Sequence, residues 1–92
     1  METNNSDILP EIGRVYRHFK GNYYYVENFA KNTETGELEV IYRSLYEGGD
    51  SPLWARPVSM FFEPVDPGHP DNFTGQPVRF ELVKDIKKNW VE

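Results

Sequence analysis

The sequence contains no cysteine, which excludes disulfide bridges, thiolate nucleophiles and cysteine-based zinc or iron–sulfur centres. It also lacks any run of about eighteen apolar residues, the length that a helix needs to cross a bilayer. Histidine is scarce as well, because only His18 and His69 are present and no spaced set of metal ligands accompanies His69. We therefore predict no metal, no cofactor and no membrane partner.

Basic residues are outnumbered, since 10 lysines and arginines face 15 acidic residues and leave a formal net charge of −5. This balance disfavours duplex DNA, whose affinity for proteins depends on neutralising phosphates. Arg14, Arg17, His18 and Lys20 nevertheless lie close together in the chain, which keeps single-stranded RNA as a minor alternative partner. Residues 1–12 contain neither a basic residue nor an apolar run, so they do not resemble a secretory signal and we expect a cytoplasmic location.

The chain has 92 residues, which suits one modest hydrophobic core and therefore one domain. Six tyrosines, six phenylalanines and two tryptophans supply most of the large apolar side chains, so the core is expected to be aromatic. We predict a flexible lead-in over residues 1–12 and a single domain over residues 13–92.

Alternating apolar and polar residues predict short strands over residues 14–20, 23–30, 38–46, 53–56 and 78–83. Turn residues separate the first three strands at Gly21-Asn22 and over residues 32–37. On the third strand, Leu38, Val40, Tyr42 and Tyr46 share one face, which we expect to be the inner one. One helical turn is predicted after Pro57, and residues 66–77, with three prolines and two glycines, are predicted to form an exposed, mobile loop.

Five short strands joined mainly by tight turns, with a helical turn before the last, predict an all-β fold. The expected architecture is a small antiparallel SH3-like barrel, so that residues 13–92 form one such domain. An OB-type barrel is the nearest alternative, but it usually has a longer helix than this chain offers.

The order and spacing of several unusual residues resemble the bacterial family named domain of unknown function 1653. The matching residues are Gly13, the run from Tyr16 to Gly21, Tyr25, Glu34-Thr35, Val40, Tyr42, Leu45-Tyr46, Trp54, Arg56-Pro57 and Met60-Phe61. The resemblance implies a small bacterial protein and is consistent with the predicted fold and location. It implies no particular chemistry.

Aromatic and cationic residues occur together without any nucleophile elbow, phosphate-binding loop or metal-ligand cluster, which favours a non-catalytic binding module. The expected ligand is a small anionic molecule, a peptide or a protein. The candidate ligand-binding residues are Tyr16, Arg17, His18, Lys20, Glu34, Trp54 and Arg56.

Trp54 and Arg56 are two positions apart, so a strand places both side chains on the same face. An arginine held in this way can grip a carboxylate or a phosphate through two parallel hydrogen bonds. The alternative is an internal ion pair between Arg56 and Glu34 or Glu63, which would only stabilise the fold.

Two further hypotheses remain open from the sequence. In the first, the protein is a small enzyme in which His18 is the acid or base and Glu34 orients it. In the second, aromatic residues form a cage for a cation or an extended peptide, whereas the simpler interpretation places them in the core. The cage residues would be Tyr16, Tyr25, Tyr42, Tyr46 and Trp54.

Overall fold

A computed structural model describes residues 9–45 and 53–84 and gives one five-stranded antiparallel sheet with a short helix. The elements are β1 (Val15–His18), β2 (Tyr23–Lys31), β3 (Leu38–Ser44), β4 (Leu53–Pro57), α1 (Val58–Phe61) and β5 (Phe80–Leu82). Neighbouring strands follow the order β4-β3-β2-β1-β5. The mainly β class, the five strands and the helical turn after Pro57 are thus confirmed.

The sheet is open at both sides in the described part of the chain, because β4 pairs only with β3 and β5 pairs only with β1. A closed barrel would require hydrogen bonding between β4 and β5. The predicted SH3-like barrel is therefore not confirmed, and what is observed is an open, mainly β sheet.

Two tight turns connect the first three strands where the sequence predicts them. Gly21 adopts a φ of 110° between β1 and β2, a backbone conformation that residues with a side chain rarely take. Between β2 and β3, the Asn32 side-chain oxygen accepts hydrogen bonds from the backbone N–H groups of Glu34 and Thr35, and Gly36 has a φ of 78°. These turns fix the register in which the strands pair.

The inner face of the sheet carries the core. Val40 and Tyr42 of β3 are buried as the alternation predicts, whereas Leu38, at the end of the strand, is exposed. Tyr46 lies outside the described residues. Tyr16 of β1, Val26 of β2 and Phe80 of β5 are buried on the same face.

The helix α1 covers this face with one fully buried aromatic ring. Phe61 stacks on Phe80 of β5 at 4.2 Å between ring centres, with the ring planes 2° apart. Tyr16 and Tyr42 approach the same phenylalanine edge to face at 5.3 and 5.7 Å. Each buried aromatic side chain removes about 150–250 Å² from water, so this cluster supplies most of the apolar burial in a small domain.

The loop predicted over residues 66–77 is mostly exposed but is attached to the sheet by a buried glutamine. Gln76 is 3 % exposed, and its side-chain Nε2 donates to the backbone oxygens of Arg17, Val78 and Arg79 at 2.8, 3.0 and 3.3 Å. Its Oε1 accepts a hydrogen bond from the Thr74 hydroxyl at 2.6 Å. The segment thus has a defined hydrogen-bonding role that its composition did not indicate.

The residues that precede β1 also contact the domain earlier than predicted. Pro10 is buried, and the Glu11 backbone N–H donates to the Tyr16 hydroxyl at 2.9 Å. Of the expected lead-in, Pro10 and Glu11 therefore contact the domain, Leu9 and Ile12 are exposed, and residues 1–8 lie outside the described part. None of the described helices is long and apolar enough to cross a membrane.

Candidate functional site

Phe80 is the centre around which polar side chains gather at one end of the inner face. Phe61 stacks on its ring, and the Arg56 guanidinium also lies over this ring, 5.8 Å from the ring centre. The His18 ring meets Phe80 edge to face at 4.9 Å. One buried ring from β5 therefore brings a side chain of β1 and a side chain of β4 to the same place.

Arg56 is half-buried and is held by a hydrogen bond to a neighbouring strand. Its Nε donates to the Tyr42 hydroxyl at 3.2 Å, because Arg56 pairs with Val40 and Tyr42 is two positions further along β3 on the same face. No carboxylate among residues 9–45 and 53–84 forms an ion pair with Arg56, and no described residue accepts a hydrogen bond from its Nη1 or Nη2. The end of the guanidinium that binds anions through two parallel hydrogen bonds is thus unpaired within the described structure.

His18 is fixed in orientation and in tautomer. Its Nδ1 accepts a hydrogen bond from the Lys20 backbone N–H at 3.1 Å, so in the neutral ring the proton is on Nε2. The ring stacks on Phe19 at 4.5 Å and meets Tyr24 edge to face at 6.2 Å. His18 therefore presents Nε2–H as a donor, and no described residue accepts it.

The surroundings of His18 keep the ring neutral. Burial, and to a smaller extent the charges of Arg79, Arg56 and Lys20, together lower the pKa of His18 from 6.5 to about 4. Protonation of Nδ1 would also break the hydrogen bond from Lys20, which is a second physical reason for the same direction. At neutral pH the site therefore contains a neutral imidazole next to cationic side chains.

Arg79 differs from Arg56 because its charge has a partner. Its Nε donates to Oε1 of Glu63 at 3.2 Å, and its Nη2 contacts the same oxygen. Its guanidinium carbon lies 5.9 Å from the centre of the Phe19 ring. The predicted alternative in which Glu63 pairs with Arg56 is therefore wrong, since Arg79 takes this carboxylate.

Trp54 lies on the same inner face as Arg56, as the spacing predicts. Its side chain is 43 % exposed, and its indole Nε1–H donates to the Ser44 hydroxyl oxygen at 3.0 Å. This hydrogen bond fixes the orientation of an indole ring that remains largely open to solvent. Trp54 thus provides an exposed aromatic surface beside Arg56, whose Nη1 and Nη2 have no acceptor among the described residues.

The other candidates predicted from the sequence are distributed over the domain. Tyr16 is 2 % exposed and belongs to the core, and burial raises the pKa of its hydroxyl. Arg17 alternates with His18 along β1 and lies on the outer face. Lys20 is exposed next to His18, whereas Tyr25 pairs with Arg43 on the outer face. The cationic residues that are close in sequence and the predicted cage residues are therefore not single surfaces.

Glu34 and His18 do not form the acid–base pair considered from the sequence. Glu34 is in the turn that follows β2, whereas the His18 N–H donates to the Asn22 oxygen, just before β2 begins. Eight residue steps of strand separate Tyr23 from Lys31, which is about 26 Å at about 3.3 Å per step. The two side chains lie at opposite ends of the sheet, so the proposed pair is wrong.

A shallow groove of about 190 Å³ occurs on the opposite face of β1 and β5. It is lined by Arg17, Tyr23, Glu81, Leu82, Val83 and Lys84. Of the candidates, only Arg17 contributes to it, and its acidic and basic side chains are mixed. The inner face has the more specific set of donors, so we take it as the candidate site.

Sequence reasoning missed part of this site. It assigned Phe80 to the core and Tyr42 to the core or to an aromatic cage, although the Tyr42 hydroxyl accepts a hydrogen bond from Arg56 and the Phe80 ring contacts both Arg56 and His18. Tyr24 and Arg79, which flank His18, were not identified either. Alternation along β2 places Tyr24 on the inner face, but only the pairing of β5 with β1 shows that Arg79 lies near His18.

The comparisons with known proteins agree with this fold. No curated protein matches the sequence significantly. A solved structure that is similar to this chain is the crystal structure of a DUF1653 protein from Bordetella bronchiseptica. It has 32 % sequence identity and a TM-score of 0.66, and the match covers 87 % of this chain and 92 % of that one. The model of the family described as "Protein of unknown function (DUF1653)" matches residues 14–82, and the chain therefore belongs to the DUF1653 family.

Proposed function

We propose that the domain is a non-catalytic binding module that holds an anionic group, a carboxylate or a phosphate, between Arg56 and His18. The observation that carries the proposal is the half-buried Arg56, whose Nε donates to the Tyr42 hydroxyl while Nη1 and Nη2 have no acceptor among the described residues. A guanidinium that is partly removed from water gains more from an anion than an exposed one does.

His18 adds a third donor to the proposed site. Because Lys20 fixes Nδ1 as an acceptor, Nε2–H is available to an oxygen atom of the ligand. The neutral ring does not repel Arg56, so donor and guanidinium coexist at neutral pH without mutual charge repulsion. The exposed Lys20 adds positive charge at the rim, where solvent and salt screen it.

No catalytic step is part of this proposal. The separation of His18 from Glu34 removes the one acid–base pair that the sequence suggested. Among the described residues, no group of three or more histidine, acidic or cysteine side chains is arranged to hold a metal ion. The partner is accordingly a small acidic molecule, or an acidic group of a peptide or a protein.

The location and the finer fold also belong to the proposal. We infer that the protein is a cytoplasmic bacterial protein. We also infer an SH3-like barrel, because five short strands and a helical turn before the last strand are typical of such barrels. An experimental structure of the full chain in which β4 and β5 stay apart would contradict the barrel.

The proposal is tested by following the His18 ring and the Trp54 indole N–H by NMR at pH 7. Sodium acetate and sodium phosphate are titrated into the protein, and sodium chloride at the same ionic strength is the reference titration. We expect saturable shifts in the wild-type protein and at least about tenfold weaker binding in Arg56→Gln, since a hydrogen-bonded charge is removed.

The matched control is Arg43→Gln. Arg43 is an arginine on the outer face of the same sheet, and it pairs with Glu27 at 2.6 Å. Its substitution alters the net charge equally but leaves the site intact. Equal affinities in wild type and Arg56→Gln, or equal losses in both variants, would overturn the proposal.

A further inference from the structure

From the position of Trp54 we infer that the ligand carries a flat ring next to its anionic group, and that this ring stacks on the indole while Arg56 binds the anion. The inference rests on the proposed function, and it specifies the class of ligand. It begins from Trp54, an apolar side chain that the anion-binding proposal does not use.

Scattered exposed apolar residues are common on protein surfaces and by themselves indicate nothing. Trp54 differs because its indole is fixed. The only polar atom of the ring, Nε1, already donates to the Ser44 hydroxyl, so the exposed part of the indole is an apolar face with a fixed orientation. An oriented ring loses little conformational entropy when a second ring stacks on it.

The spacing between the two side chains sets the size of the ligand. Trp54 and Arg56 project from one face of β4, two residues apart, so their Cα atoms are about 7 Å apart along the strand. A ring joined to an acid group by a short link spans that distance. Both side chains are also anchored to β3, Trp54 through Ser44 and Arg56 through Tyr42, so their separation is fixed by the sheet.

Phenylacetate is the probe for this class, and acetate is the same acid group without the ring. We expect phenylacetate to bind the wild-type protein about fivefold more tightly than acetate, the increment of one aromatic stack. Trp54→Leu should lose this difference while it keeps its affinity for acetate, and Trp54→Phe should keep part of it. The amide spectrum of each variant shows that it is folded.

A double-mutant cycle tests whether one ligand bridges both side chains. The effects of Trp54→Leu and Arg56→Gln on phenylacetate affinity should be less than additive, because loss of either contact weakens the placement of the other. Phenyl phosphate in place of phenylacetate shows whether the acid is phosphoric or carboxylic, and a ring-dependent gain with either probe supports the inference.

Failure of the inference is distinguishable from failure of the proposed function. If acetate binds through Arg56 but phenylacetate and phenyl phosphate gain nothing from Trp54, the flat-ring ligand is wrong and the anion site stands. If binding of all these acids is unaffected by Arg56→Gln, both are wrong.

Discussion

The buried amide of Gln76 should be essential for stability, because it connects the loop of residues 66–77 to two strands. Its Nε2 donates to backbone oxygens on both sides, Arg17 at the end of β1 and Val78 and Arg79 just before β5. The substitution Gln76→Glu keeps the shape of the side chain but replaces this donor with an acceptor. The introduced carboxylate oxygen then faces the backbone carbonyl oxygens of Arg17, Val78 and Arg79 at a buried position.

The magnitude follows from these contacts. Loss of a net hydrogen bond destabilises a protein by about 0.5–1.5 kcal/mol, and a buried polar group left without a partner adds about 1–3 kcal/mol. The Arg79 oxygen keeps the Phe19 N–H at 3.0 Å, and Arg17 is paired with Glu81 between β1 and β5, so the lost donor affects the Val78 oxygen most. We expect Gln76→Glu to lower the free energy of unfolding by about 3–5 kcal/mol at pH 7.

Urea unfolding followed by circular dichroism measures this difference. Gln76→Met, which removes the donor without adding a charge, should lose less, about 2–3 kcal/mol. Asp71→Asn, an exposed acid-to-amide change in the same loop, is the control and should stay within about 0.5 kcal/mol of wild type.

The introduced carboxyl also gives the effect a pH dependence. Burial raises its pKa in the folded state, so the folded protein binds the proton more tightly than the unfolded chain does. The defect of Gln76→Glu should therefore shrink at low pH and grow as the pH rises through that pKa. A wild-type unfolding midpoint for Gln76→Glu at pH 7 would refute the role of this amide.

Two further predictions concern His18 and the aromatic core. The folded-state pKa of His18, about 4, is below the unfolded value of 6.5, so wild type should lose stability as the pH falls between these values. The full shift corresponds to about 3 kcal/mol, and solvent screening at this partly exposed ring reduces it to about 1 kcal/mol. Urea unfolding at pH 7 and pH 4.5 should show this extra loss in wild type but not in His18→Gln, and equal losses would contradict it. In the core, Phe61→Ala should destabilise by about 3–5 kcal/mol in the same assay, because it empties a fully buried position. The control Phe73→Ala, at a ring that is 72 % exposed, should change little, and similar losses for both would contradict the packing.

Local patterns in the sequence predicted those parts of the fold that local rules determine. The turn at Gly21, the inner position of Val40 and Tyr42, and the shared face of Trp54 and Arg56 all follow from the alternation and from turn chemistry. Each of these features depends on residues that are close together in the chain. The family resemblance was confirmed as well, because it rested on many residues in one order.

Features that depend on distant residues were not predictable in the same way. Gln76 binds the oxygen of Arg17, 59 positions away, and nothing in a loop rich in proline and glycine indicates such a contact. Glu63 was one of two possible ion-pair partners of Arg56, whereas the bridge between Pro64 and Val78 positions Arg79 beside Glu63 instead. Closure of the sheet likewise depends on the relation between its edges, which alternation within a strand does not specify.

The most direct test of the anion site is the pKa of His18, measured by NMR with and without sodium sulfate at constant ionic strength. An anion bound to Arg56 beside Nε2 offsets the positive charges that lower this pKa, so sulfate should raise it above about 4 in wild type. In Arg56→Gln the pKa should be higher than in wild type before sulfate is added, and sulfate should no longer change it. A His18 pKa that sulfate leaves unchanged in wild type, or raises equally in Arg56→Gln, would contradict the account.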